Sequence, residues 1–390
     1  MPHVLMVGPG TYSHLRPHVP VIAELVERGH RVTWTVPARF ADLVASAGAT
    51  PLLHTSVLPD PDRGETWPTD PVEGSARFLD EAVHVLPQVE GPLEADRPDA
   101  VLYDIGGHVG HALACRWGLP LVQLSPAVVA WDGFEDDMAE ELSFRRTPEY
   151  ARYLQRFARW LAEQGIDEDV ETFVGSPPRC AVLIPRALQP HADRVDPRRC
   201  TFVGPALDRS QDEREWPEPR RPLVLVSLGS AYHDRPAFWR DCVAAFGPLP
   251  WEVVLAVGPH VDPAALGAVP DNVAVHRWVP QPAVLARASA FVTHAGMGSC
   301  SEGLHHGVPM VAVPQAVDQF GNAALLEQLG VARHLPAEQA TPEALRSAVL
   351  EVSGSATVRE RLAEASAELR GAGGASGAAD LVEDEVARVR

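Results

Sequence analysis

Two periods alternate along the chain. Short apolar runs end in glycine, proline or a polar residue. Between them lie stretches whose apolar residues recur three and four apart. Residues 3–8, 31–36, 100–103 and 121–124 read as strands, and an extended piece begins at 51–53. Residues 17–28, with Val21, Ile22, Leu25 and Val26 on one side, read as a helix, as do 40–47 and 109–117. Repeated β-α units of this kind predict a parallel sheet with helices on both faces.

Residues 132–172 are helical in period. Tyr150, Tyr153, Leu154, Phe157, Trp160 and Leu161 form one amphipathic face, suited to core packing or to a lid over a pocket. Residues 208–222 are polar, proline-rich and aperiodic, the signature of a linker. A second β-α series follows, with strands at 223–228, 252–257, 273–276, 290–293 and 310–313. Helices are expected at 237–245, 283–287, 299–306, 321–329, 341–350 and 358–369, with a glycine-rich break at 371–377 and a last helix at 379–389. The expected architecture is α/β: two doubly wound domains facing each other across a cleft, where ligands bind in such folds.

Composition narrows the function. The 390 residues carry 33 basic and 52 acidic side chains, a formal charge of −19. Every basic residue is arginine. A chain without lysine has no phosphate-loop lysine and no Schiff base, and it cannot hold pyridoxal phosphate on lysine. The acids are dispersed and no basic lobe or tail exists, so nucleic acid is not an expected partner. No apolar run is long enough to span a bilayer, and the first residues lack a signal-peptide pattern. Five scattered cysteines without a CxxC pair fit reduced thiols in a cytoplasm.

The strongest local signal is Thr293-His-Ala-Gly-Met-Gly-Ser-Cys-Ser-Glu302, which follows an apolar strand and opens a helix. Glycines 296 and 298 let backbone N–H groups approach a ligand, Ser299 adds a hydroxyl, and the helix N-terminus favours an anion. A lysine-free protein can hold a pyrophosphate this way. Around it stand Trp278-Val-Pro-Gln281 before, and Pro314 to Asp318-Gln319 after. In order, W-x-P-Q, H-x-G-x-x-S-x-x-E, G-V-P and P-x-x-x-D-Q resemble the nucleotide-sugar signature of family 1 glycosyltransferases. The likeness runs over essentially the whole chain and is greatest to actinobacterial macrolide glucosyltransferases.

That resemblance implies a GT-B fold and an inverting, metal-independent transfer. It implies an acceptor domain at 1–207, a linker at 208–222 and a donor domain at 223–377, with the last helix, about 378–390, packing back on the first domain. Trp278 would stack on uracil, with the backbone near Val279 and the side chain of Gln281 beside it. His294, Gly296, Gly298 and Ser299 would hold the diphosphate, with Ser230 as a further donor. Glu302 would accept from the ribose hydroxyls, and Asp318 and Gln319 would bond the sugar. Met297 and Gly298 stand where plant members carry Trp and Asn, which matches the bacterial branch. A lone tryptophan more often packs in a core.

In the first domain, Ser13-His-Leu-Arg-Pro17 resembles the family's H-x-x-P, whose histidine is the catalytic base; Ser13 stands where many members have glycine. Asp104 ends a later strand. Loops leaving neighbouring strand ends meet above a doubly wound sheet, so a His14–Asp104 pair is expected. His18 is the weaker rival for the base. Asp60-Pro-Asp62 and Asp167-Glu-Asp169 formally contain D-x-D but read as solvated acids, and Gly8-Pro-Gly10 is an incomplete dinucleotide loop. No His/Cys/Asp cluster shows metal spacing.

The resulting expectation is a cytoplasmic enzyme without cofactor or metal. It would move a sugar, with glucose favoured, from a UDP-sugar to a hydroxyl of a lipophilic macrolide or polyketide. A dTDP-deoxysugar transferase, a sugar-nucleotide epimerase and a catalytically silent helper are the alternatives. Acceptor-lining candidates are Trp67, Phe78, Val83, Trp131, Phe134 and Phe144, on loops expected at 55–90 and 125–150. Oligomeric state, a homodimer included, is left open.

Overall fold

The computed structural model describes residues 2–60, 63–207, 215–229, 234–316 and 318–389. The chain forms two compact units. The first holds the chain up to Ile184, then Gln189–Ala206, and the chain from Gly373 on; the second holds Pro185–Leu188 and Leu207–Ala372. Residues 208–214 of the expected linker, Asp62 and Ser230 lie outside the described residues.

The first unit is built on seven parallel strands: β1 (His3–Val7), β2 (Arg31–Pro37), β3 (Thr50–His54), β4 (Ala100–Tyr103), β5 (Leu121–Ser125), β6 (Cys180–Val182) and β7 (Cys200–Phe202). Their order is β3-β2-β1-β4-β5-β6-β7. β1 and β4 are buried at every position, because helices cover both faces and leave no solvent side to alternate toward. One face packs Val4, Met6, Trp34 and Val36 against Val21, Ile22 and Leu25 of helix Val19–Glu27. The other packs Leu5, Val7 and Val101 against helices Pro71–Ala95, His108–Trp117 and Pro148–Glu163. The Tyr150–Leu161 aromatic face belongs to this core, with Phe157 wholly buried.

Two expectations need correction here. Residues 55–90 are not a loop: Pro71–Ala95 is a 25-residue helix. Asp70 caps it by accepting from the backbone N–H of Val72 and Glu73, and Leu79, Val85, Leu86, Val89 and Leu93 are buried at helical spacing. Pro87 and Pro92 inside it, with Gly74 and Gly91, read as breakers, but tertiary burial outweighs their cost. The second concerns the glycine-rich segment near the C-terminus. It is mostly helical, one helix ending at Gly371 and the last spanning Gly374–Val389. The break is confined to Ala372 and Gly373, and the chain turns through Gly373 and Gly374, both at positive φ. Leu381 and Val382 of that last helix join the first unit's core, and Arg28 donates to Asp380 at 2.6 Å and Glu383 at 2.9 Å.

The second unit has six parallel strands: β8 (Leu223–Ser227), β9 (Glu252–Ala256), β10 (Val273–His276), β11 (Ala290–Thr293), β12 (Met310–Ala312) and β13 (Ala332–His334). Their order is β10-β9-β8-β11-β12-β13. Apolar clusters again fill both faces, one around Trp239, Phe246 and Val292, the other around Phe291, Met310 and Leu304. Among the described residues no helix is long and apolar enough to cross a membrane.

In each sheet the chain moves outward one way, returns to the centre, and moves the other way. The reversal lies between β1 and β4 in the first unit and between β8 and β11 in the second. Crevices form at such switch points, outside the carboxyl ends of the strands. Val7 pairs with Tyr103 across the first, and Ser227 with Thr293 across the second.

Candidate active site

The first switch point gathers His14 and Asp104. β1 runs into Gly8-Pro-Gly10 and then a single helical turn, Tyr12–Leu15, which carries His14. β4 delivers Asp104 directly, and its backbone N–H donates to Val7 O at 3.0 Å, tying the two strand ends together. His14 Nδ1 lies 2.7 Å from Asp104 Oδ2, and Asp104 Oδ1 accepts from the Ile105 N–H at 2.5 Å. Asp104 is fully buried. Burial alone would raise its pKa, but His14 and His18 hold the carboxyl well below the usual range, so it stays ionised. His18 Nε2 stands 3.1 Å from the same Oδ2. The two rings differ in access: the side chain of His14 is 27% exposed and that of His18 only 1%. Of the two rings, only that of His14 reaches the surface. A carboxylate on Nδ1 fixes the tautomer that puts the lone pair on Nε2, the arrangement of a general base with its orienter.

Phe78 lies against this loop. A β-carbon on Gly106 would fall 2.5 Å from its ring, and Trp67 stacks tilted on Phe78 with centroids 5.4 Å apart. Trp131 is different. It is buried, its indole N–H donates to Asp137 Oδ2 at 2.7 Å, and it meets Phe134 edge-on at 4.8 Å. Phe144 packs edge-on against Tyr150 at the core. Val83 is exposed on helix Pro71–Ala95. These candidates fall into separate local contacts: Trp67 with Phe78, Trp131 with Phe134, and Phe144 with Tyr150.

At the second switch point, β11 leads through His294, Ala295 and Gly296 into helix Met297–His305. Ala295 is held at φ 61°, a left-handed conformation that costs a β-carbon residue roughly 1–2 kcal/mol. Its N–H donates to Thr293 Oγ1, and its carbonyl accepts from Asn322 Nδ2 at 3.0 Å. The His294 ring is wedged between two glycines. A β-carbon on Gly229 would lie 2.6 Å from it, and one on Gly296 closer still. Desolvation lowers the His294 pKa to about 4, against a smaller opposing contact from the Ser227 backbone, so the ring is neutral at pH 7. Gly298 has open space around it, and the first N–H groups of the helix have no acceptor within it.

Trp278 is 55% exposed, so core packing does not describe it, whereas Val279 is buried. Gln281 links the loop: its Nε2 donates to Ser299 Oγ at 3.1 Å and to Glu302 Oε2 at 2.7 Å. Asp318 Oδ2 accepts from Asn322 Nδ2. Gln319 is buried, and its side-chain oxygen accepts from the backbone N–H of Gln315 and Ala316. What it can offer a ligand is its amide nitrogen.

Two of the D-x-D acids have structural roles. Asp60 pairs with Arg39, and Asp169 caps helix Val170–Gly175 by accepting from the Thr172 N–H. The structure also assembles a group the spacing reading passed over: His111, Cys115 and Glu168, whose ligand atoms all lie within 4.8 Å of one another. His-x-x-x-Cys on one helix face is the signal that points to it.

Residues 240–379 match the family described as Erythromycin biosynthesis protein CIII-like, C-terminal domain. Along its whole length the chain is similar to oleandomycin glycosyltransferase of Streptomyces antibioticus. They are 48% identical over 390 residues, covering 98% of this chain and 91% of the relative. It is 35% identical to the NDP-glycosyltransferase YjiC of Bacillus licheniformis, over 98% of this chain and 97% of that one. Among solved structures, the glycotransferase of kitacinnamycin superposes with a TM-score of 0.90 at 42% identity, covering 99% of this chain and 100% of that one. CalG4, the calicheamicin glycosyltransferase, gives 0.87 at 32% identity over 100% and 99%. The two parallel-sheet units are therefore those of the GT-B glycosyltransferases. The chain belongs to the family 1 glycosyltransferases, and it is a glycosyl-transferring enzyme.

Proposed function

We propose that this enzyme transfers a hexose, glucose for preference, from a UDP-sugar to a hydroxyl of a lipophilic natural product such as a macrolide, with inversion and without a metal. In one displacement the acceptor hydroxyl gives its proton to His14 Nε2 as its oxygen bonds to the anomeric carbon. The bond from that carbon to the diphosphate breaks, and UDP departs with the electron pair. Asp104 stabilises the imidazolium that forms. The neutral His294, the hydroxyl of Ser299 and the N-terminus of helix Met297–His305 receive the diphosphate. The Trp67–Phe78 pair beside Gly106 supplies an apolar surface for the acceptor. The names of the similar proteins, which mention oleandomycin, kitacinnamycin and calicheamicin, support an antibiotic-type acceptor.

The observation that carries the donor reading is Glu302. Its carboxylate is oriented by Gln281 on the helix that begins at the phosphate-type loop. A carboxylate there can accept from both ribose hydroxyls. A deoxyribose leaves one charged acceptor position unpaired, a loss of about 1.5–3 kcal/mol, or roughly tenfold to a hundredfold in preference. The test compares kcat/KM for UDP-glucose and dTDP-glucose in the wild type and in Glu302→Ala. The reading expects a UDP preference that collapses in the variant; equal efficiency in the wild type overturns it.

A further inference from the structure

We propose that His111, Cys115 and Glu168 form a binding site for a borderline-soft divalent cation of the zinc class, which pins the segment before helix Val170–Gly175 to helix His108–Trp117. The three side chains share no residue with the His14–Asp104 pair. His111 and Cys115 stand one turn apart on the same helix face, and Glu168 comes from the loop that follows helix Pro148–Glu163. Their ligand atoms already lie within 4.8 Å of one another. Tetrahedral zinc with nitrogen and sulfur at about 2.0–2.3 Å asks for somewhat shorter separations. Cys115 is exposed and Glu168 reaches solvent, so both can close that gap by side-chain rotation.

His111 is the fixed member. Its ring is buried, stacked on Phe173 with centroids 3.9 Å apart and planes 9° from parallel, and it packs on Tyr103 at 5.1 Å. Its Nδ1 is buried with no hydrogen-bond partner among the described residues. A buried, unpartnered ring nitrogen is costly unless something takes its lone pair. The ligand set also selects the metal. Imidazole, thiolate and carboxylate together suit zinc, whereas magnesium and calcium want oxygen alone. A surface recess of ≈ 430 Å³, lined by Cys115, Arg116, Ile166 and Glu168 among others, gives the ion a way in and room for a water as fourth ligand. Binding converts the Cys115 thiol to thiolate, and its proton goes to solvent.

The test uses the untagged full chain, stripped with chelator and titrated with Co²⁺ and then Zn²⁺, alongside Cys115→Ser and Glu168→Gln. The two substituted side chains are at the surface, so both variants should fold, which circular dichroism checks. The expected result is one equivalent of Co²⁺ with a thiolate-to-cobalt charge-transfer band, displaced by Zn²⁺. The band should vanish in Cys115→Ser, and affinity should fall at least roughly tenfold in Glu168→Gln, the penalty known for losing even an outer partner. Zinc should raise the Tm of the wild type and not that of Cys115→Ser. Absence of the band in the wild type, its persistence in Cys115→Ser, or unchanged affinity in both variants overturns the proposal.

Discussion

His18 Nε2 stands 3.1 Å from the same Asp104 oxygen that His14 Nδ1 approaches at 2.7 Å. One carboxylate thus serves two imidazoles, of which one is buried and one reaches solvent. The buried ring anchors Asp104 against the sheet, and Asp104 in turn orients the exposed ring.

Their division of labour is measurable. Replacing His14 by alanine should lower kcat by roughly two to four orders of magnitude, the usual worth of a positioned base. Donor affinity should barely change, because the candidate donor residues lie in the other unit. Asp104→Asn should keep the fold and lose a smaller part of the rate. His18→Ala removes one contact to an ionised group and should cost about tenfold, the low end for such a contact. Steady-state kinetics on an unactivated alcohol, with donor affinity by calorimetry, checks all three. A His18→Ala enzyme as slow as His14→Ala would contradict the assignment of the base.

Gln281 acts through its neighbours. Its amide nitrogen spans Ser299 Oγ and Glu302 Oε2, so it sets the direction of a hydroxyl and a carboxylate at once. Gln281→Leu keeps the volume and removes the donor. We expect KM for the nucleotide-sugar to rise roughly tenfold, with kcat altered much less, since a charged acceptor then loses one bond of about 1.5–3 kcal/mol. The measurement is the split between KM and kcat; a fall in kcat at constant KM would place Gln281 in the chemical step instead.

Legibility in the sequence followed burial. Ala100–Tyr103 and Ala290–Thr293 are readable to the residue because a strand covered on both faces is a near-continuous apolar run. β6, β7 and β13 have three residues each, too few to show a period. Helix Pro71–Ala95 was hidden by its prolines. The motif around His294 was legible because a strand, a glycine turn and a helix are contiguous in sequence. The His14–Asp104 contact spans ninety positions and was inferable only from which strand ends a doubly wound sheet brings together. His18 on Asp104, the left-handed Ala295, and Glu168 beside His111 depend on loop paths that no local period encodes.

His294 gives a pH dependence whose sign can be worked out. Its pKa in the folded protein is about 4, below the 6.5 of an unperturbed histidine, because burial disfavours the charged ring. Between those values the unfolded chain takes up a proton that the folded chain does not. Stability therefore rises with pH through that window, is complete above about 6.5, and is lost progressively as pH falls toward 4. Asp104 acts in the same direction, but its pKa is depressed from the carboxylate range, so its contribution fades at lower pH, below about 4. The urea midpoint of the wild type should fall between pH 7 and pH 4.5. His294→Asn, which cannot titrate, should be less stable at pH 7 yet show a shallower fall over that interval. Equal slopes for the two proteins would mean that the ring between Gly229 and Gly296 is solvated rather than wedged, and the neutral hydrogen-bonding role assigned to it would fall with that result.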